Sequence, residues 1–182
     1  MYRINIGCGS NPSEGWLNFD NTPAIKLANS PLKYRIAKLF GMLKKTHIEN
    51  IEWNKKNKIK YADAAKSIPL PPNSVEAIYT SHMLEHLSRE GAKSFLYEAN
   101  KILKIDGVLR VSIPDLKIYI EKYLINEDAN EFMTGILVES PPINTLKQKI
   151  FLYINGYRHH QWMYDGRSLS ILFREAGFKN IK

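Results

Sequence analysis

The strongest constraint on the fold is a pair of short apolar runs joined by a glycine turn within the first twenty residues. Arg3-Ile4-Asn5-Ile6-Gly7-Cys8-Gly9-Ser10-Asn11 reads as a strand running into the turn, and Trp16-Leu17-Asn18-Phe19-Asp20 as a second strand ending on a carboxylate. Glycine at the carboxyl end of a buried strand lets the backbone bend sharply. It also lets a ligand reach main-chain N–H groups with no Cβ in the way. An acid at the tip of the neighbouring strand is where an open α/β sheet holds the ribose hydroxyls of a nucleoside. The turn alone is not diagnostic, because a tight bend wants glycine whether or not a ligand follows.

Two departures narrow the ligand. The third glycine of the dinucleotide fingerprint is absent, since Gly9 is followed by Ser10-Asn11-Pro12. Asp20 comes thirteen positions after Gly7, whereas the fingerprint places its acid about twenty residues on, beyond a full helix. Six residues, Pro12 and Gly15 among them, separate Gly9 from Trp16. That is too few for the helix, so the crossover must be unusually tight. A pyrophosphate wants the N–H groups and positive end of such a helix. NAD, and with it a nicotinamide-dependent oxidoreductase, is therefore disfavoured. A nucleoside without phosphate loses nothing, and S-adenosylmethionine is such a ligand.

The 182 residues are expected to form one domain, 1–182, because a chain of that size buries roughly 70% of its unfolded surface. Cys8 is the only cysteine, which excludes an internal disulfide and fits a reducing, cytoplasmic compartment. At a glycine turn it reads as a small packing residue rather than a nucleophile. No apolar run reaches the length of a membrane span, and Met1 leads directly into a strand. Residues 21–60 hold ten lysines and arginines against Glu49 and Glu52, an excess equal to the whole net charge of +8.

That basic stretch forms an expected helical insert at about 24–58. Ser30-Pro31 is a helix start, and Leu32, Ile36, Leu39, Phe40 and Leu43 recur at helical spacing among Lys33, Arg35, Lys38, Lys44 and Lys45. A basic amphipathic helix can lie on an anionic membrane surface, or it can pack its apolar stripe on the domain and leave its charges in water. The basic residues are not interleaved with a nucleic-acid recognition module, which argues against that partner.

Ile59 to Asp63 reads as a third strand ending on a carboxylate, which can accept from an adenine amino group or simply cap a loop. Val75 to Ser81 reads as a fourth strand, followed by His82-Met83-Leu84-Glu85-His86. The His-x-x-Glu-His spacing matches a metalloprotease motif, but that motif needs a long helix and here follows a strand. A metal at His82, Glu85 and His86 is the lesser alternative to ordinary hydrogen bonding, so no metal is assigned. Ser88 caps an amphipathic helix with Ala92, Phe95, Leu96, Ala99, Ile102 and Leu103 on one face, and a fifth strand runs to Ile113. Helices over 116–124, 127–138 and 145–154 form an expected cover at about 116–160. An aromatic, histidine-bearing loop follows over 157–164. Asp165 caps a helix stopped by Gly177, and 178–181 begins a sixth strand. The order is that of an α/β domain.

In this order and spacing the motifs resemble the class I S-adenosylmethionine-dependent methyltransferases, closest to small bacterial methyltransferases of the type 11-like family. The residues carrying the resemblance are Ile4 to Gly9 with Gly15 to Asp20, Asp63-Ala64 with Ile68-Pro69-Leu70 and Ser74-Val75, Ser81 to Leu87, and Leu103 with Gly107-Val108-Leu109 and Pro114-Asp115. The resemblance implies a Rossmann-like sheet of order 3-2-1-4-5 plus a sixth strand. It also implies S-adenosylmethionine as cofactor, with Gly7, Cys8 and Gly9 along the methionine part. Asp20 would lie on the ribose hydroxyls, Asp63 and Ala64 at adenine, and Ser81 beneath the sulfonium. Members resemble enzymes of cell-surface polysaccharide biosynthesis, so the implied acceptor is a glycan, a lipid-linked intermediate or another small molecule. Ile105-Asp106-Gly107 replaces the family's Pro-Gly-Gly, and no sequence remains for the antiparallel seventh strand between strands five and six. Methyl transfer to oxygen needs a base near neutral pKa, which makes His86 and His159 the catalytic candidates. The missing strand and the lack of a definite base also fit a non-catalytic subunit that only binds the cofactor.

Overall fold

The computed structural model of the chain describes residues 1–138, 145 and 159–182. Five parallel strands form one sheet: β1 (Tyr2–Ile6), β2 (Leu17–Asp20), β3 (Lys60–Tyr61), β4 (Val75–Ser81) and β5 (Leu103–Ser112), ordered β3-β2-β1-β4-β5. Strand order reverses between β1 and β4, so both strands open at their carboxyl ends onto the crevice where ligands of such sheets bind.

Side chains alternate across each strand. Ile4, Ile6, Phe19, Val75 and Ile78 belong to the main core with Ala92, Phe95, Leu96, Ala99 and Ile102 of α4 (Arg89–Ile102), the helix the sequence predicts. Its start is fixed by the Ser88 hydroxyl, which accepts from the Gly91 N–H at 3.1 Å. Leu172 and Phe173 of α7 (Gly166–Glu175) complete this core. Asp165 caps α7 through a reciprocal pair with Ser168, and Gly177 ends it at φ +89°.

The tight β1–β2 crossover contains no helix. Two buried asparagines hold it instead. The Asn5 amide donates to the Asn11 carbonyl and to Ser13 Oγ, at 3.1 and 3.0 Å. Asn18 accepts from the Ser13 N–H and donates to the Ser13 and Trp16 carbonyls. These bonds give partners to peptide groups of a half-buried loop that has no helix to pair them.

The basic stretch forms α1 (Pro23–Ala28), α2 (Pro31–Leu39) and α3 (Lys45–Lys56). Ala28, Tyr34 and Ile51, one from each helix, make a small core of their own. Tyr34 lies across the helix from Leu32 and Ile36, each two residues away at 100° per residue. Burying Tyr34 therefore turns the apolar stripe outward: Leu32 is 72% exposed, Leu39 82% and Phe40 73%. Leu43 at its end packs on this small core, while Leu32, Leu39 and Phe40 do not pack on the domain.

After β5 come α5 (Leu116–Asn126) and α6 (Ala129–Gly135), while the expected helix over 145–154 lies outside the described residues. The sixth strand expected over 178–181 does not form. In the family order it would reach β5 only across a seventh strand, and the described residues place none there. Phe178 and Ile181 pack on the main core instead.

Candidate functional site

The strand tips bring most of the expected cofactor residues to one edge. The Gly7 and Cys8 N–H groups both donate to the Phe19 carbonyl, strapping the turn to β2. Gly7 sits at φ +69°, and a Cβ there would stand 2.6 Å from Met83 Cγ. Gly9, at φ +51°, has no atom within 4 Å of the corresponding position. One glycine thus admits a neighbouring side chain, while the other leaves its Cα face open to a ligand.

Asp20 is buried at the end of β2. One carboxylate oxygen accepts from the Gly9 N–H at 3.0 Å, the other from the Thr22 N–H at 2.9 Å. A carboxylate offers about four lone-pair sites, so ribose hydroxyls can still be accepted. Asp63 stands at the neighbouring tip: Asp20 pairs with Tyr61 in the sheet, and the Ala62 N–H donates to the Asp20 carbonyl. Its carboxylate is partly exposed and ion-paired with Lys66 at 2.9 Å, while its carbonyl accepts from the Lys66 and Ser67 N–H groups. Ala64 is buried beside it. Ser81 ends β4 opposite Ser112 of β5.

Burial, followed by the negative charge of Asp20, pushes the Cys8 thiol up to about 12. The sulfur is a neutral packing group at physiological pH and no nucleophile. Among the described residues no helix N-terminus follows the glycine turn, so the edge fits an adenosyl group without phosphate better than a dinucleotide.

The histidine-bearing side of the site begins where β4 ends. His82 adopts φ +49°, and Leu84–His86 forms a single 3-10 turn that buries Glu85. The Gln161 and Trp162 N–H groups donate to the Glu85 carbonyl, and the Gln161 amide donates to the His86 carbonyl at 2.7 Å. The Arg89 guanidinium covers the Trp162 ring at 4.5 Å. This latch brings His160 against His86, ring centroids 4.9 Å apart. His86 Nδ1 lies 3.2 Å from the His159 carbonyl, so the contact between the two expected bases runs through the backbone of His159. His160 is almost wholly buried, and burial, followed by the neighbouring His86, lowers its pKa, with Glu85 acting in the opposite direction. Sequence spacing after β4 pointed to His82, Glu85 and His86. His160, more than seventy residues away, and the hydroxyl of Thr80, buried under Gly7, carry no local signal. A separate cleft of about 520 Å³ between α5 and α6, lined by Tyr119, Tyr123 and Phe132 among others, shares no residue with this site.

Sheet order, glycine turn and an acid at each of two adjacent strand tips are the arrangement expected of an α/β domain that takes S-adenosylmethionine. The methyltransferase domain family matches residues 4–111, more than half of the chain. The protein belongs to that family. No curated protein matches. Among solved structures, a Thermotoga maritima SAM-dependent methyltransferase, described as a possible histamine N-methyltransferase, is 19% identical over 98% of this chain and 64% of its own, with a TM-score of 0.54. A SAM-dependent methyltransferase from Methanosarcina mazei is 17% identical over 98% and 79%, with a TM-score of 0.51. The YcgJ protein of Bacillus subtilis is 13% identical over 96% and 60%, with a TM-score of 0.50. At such identities the likeness establishes the fold. The chain spans less than two thirds of the Thermotoga and Bacillus proteins.

Proposed function

We propose that the protein transfers the methyl group of S-adenosylmethionine to an oxygen of a glycan or lipid-linked intermediate. The observation that carries the cofactor part of this reading is the open Gly9 face beside two acids on adjacent strand tips, with no helix starting at the glycine turn among the described residues. Gly7, Cys8 and Gly9 would line the methionine part, Asp20 the ribose, Asp63 and Ala64 the adenine, and Ser81 the sulfonium. Bound there, the cofactor supplies an electrophilic methyl. The protein's part is to hold the acceptor in line with it, since alignment can account for much of the rate. The side of the site formed by His82, Glu85, His86 and His160 receives the acceptor, and its proton is lost there.

The exposed stripe of α2 supports a peripheral position on an anionic membrane, where lipid-linked acceptors reside. Leu32, Leu39, Phe40 and Met42 face out beside Lys33, Arg35, Lys38, Lys44 and Lys45, all exposed. Each such cation near an anionic surface contributes about 1 kcal/mol. No helix of the described residues is long and apolar enough to cross a membrane.

Incubation with methyl-labelled S-adenosylmethionine and a panel of glycan and lipid-linked acceptors tests the activity. Labelled product that disappears in Asp20→Ala supports it. Tight cofactor binding with no product across the panel points to a cofactor-binding subunit instead.

A further inference from the structure

We propose that Glu85, His86 and His160 bind a divalent transition-metal ion. One carboxylate oxygen and two ring nitrogens from these residues lie within 4.8 Å of one another. Glu85 is 1% exposed and His160 4%, and neither oxygen of Glu85 accepts a hydrogen bond among the described residues. Leaving a buried carboxylate without donors is costly, so something must compensate it. His82 Nδ1 stands 3.3 Å from Oε1 without hydrogen-bond geometry, and His160 Nε2 stands 4.0 Å from the same atom.

The outer nitrogens of the two rings are already engaged. His86 Nδ1 faces the His159 carbonyl at 3.2 Å, and His160 Nδ1 faces Met163 Sδ at 3.1 Å. A carbonyl and a thioether can only accept, so the tautomer that satisfies these two contacts carries its proton on Nδ1 and leaves each Nε2 with its lone pair. Fixing the tautomer through the second nitrogen is how ligating histidines are held. Two imidazoles and a carboxylate suit zinc or a similar first-row ion rather than magnesium or calcium. Three protein ligands leave a position open, as in catalytic zinc sites. Bonds of about 2.1 Å put tetrahedral ligands about 3.4 Å apart, so binding draws the widest pair inward, and half-buried His86 is the side chain with room to move.

The consequence for chemistry rests on the methyl-transfer reading. An acceptor hydroxyl in the open position would lose its proton to solvent near neutral pH. Its oxygen then bonds the methyl carbon as the carbon–sulfur bond breaks, and S-adenosylhomocysteine leaves as a neutral thioether.

Titration of the full chain, freed of any affinity tag, with zinc chloride alone tests the site by calorimetry. Cobalt(II) uptake followed by visible absorption reports the ligand set. One ion per chain is expected, with affinity falling at least about 100-fold in His160→Ala and in Glu85→Gln, beyond the loss typical of outer-shell changes. Should Glu85→Gln fail to fold by circular dichroism, His86→Gln gives the same readout from a half-buried position. Binding of S-adenosylhomocysteine, measured in parallel, is expected to survive His160→Ala, so failure of the metal site and failure of the cofactor site are separable. Absence of saturable uptake, or uptake that these variants retain, overturns the proposal.

Discussion

At the scale of single residues, the site is decided by what surrounds each group rather than by its type. Cys8 occupies a position along the glycine turn where a thiol could be read as reactive. Burial and the adjacent Asp20 charge hold it protonated. Iodoacetamide at pH 8 is therefore expected to leave the folded protein unmodified and to alkylate it fully in urea. Rapid labelling of the native protein would mean that the turn opens or that Cys8 is not packed as described. Gly7 carries a second prediction. A Cβ there meets Met83 at 2.6 Å in a left-handed backbone conformation. Strain of roughly 1–2 kcal/mol and overpacking of roughly 1–3 kcal/mol add to a loss of about 2–5 kcal/mol in Gly7→Ala, measured by urea unfolding. Gly9→Ala, in open space, carries only the backbone part but places a methyl where the ligand would lie. It should weaken cofactor binding more than stability.

At the scale of elements, the crossover from β1 to β2 departs most from the usual βαβ unit. Asn5 and Asn18 together make five hydrogen bonds to or across the loop. Asn18→Ala removes three of them and leaves the half-buried Ser13 N–H and Trp16 carbonyl without these partners, so a loss of about 2–4 kcal/mol is expected in denaturant titration. A loss below about 0.5 kcal/mol, the size of an ordinary surface change, would show that the loop is held by something else. Much of this architecture is legible in the sequence. The glycine turn, the apolar runs and the Ser88 cap carry local chemistry that specifies β1, β4 and α4. The shortness of the Gly9–Trp16 segment forces a crossover without a helix. The orientation of α2 is not legible in the same way. Its stripe has helical period, but period states which residues share a face, not which face is buried, and burial of Tyr34 decides that. The sixth strand fails for a related reason: Phe178 to Ile181 has strand composition, but among the described residues no seventh strand lies beyond β5 for it to pair with. The convergence of His160 on Glu85 is a long-range contact made through backbone bonds of Gln161 and Trp162, which no spacing rule records.

At the scale of the whole molecule, the excess of positive charge is segregated into the insert, which also carries an exposed apolar stripe on α2, while the proposed cofactor edge lies at the strand tips. The arrangement predicts sedimentation with vesicles that contain phosphatidylglycerol and not with phosphatidylcholine alone. Leu39→Asp with Phe40→Asp should abolish it, and added salt should weaken it. Equal binding to both vesicle types, or none to either, would remove the membrane from the account.

Calorimetric titration with S-adenosylhomocysteine, run beside NADH, tests the central claim most directly. The expected result is saturable binding of the phosphate-free nucleoside, its loss in Asp20→Ala, marked weakening in Asp63→Ala, and no NADH binding. Undiminished binding in both variants, or preference for NADH, would contradict the assignment of the adenosyl group to the tips of β1, β2 and β3.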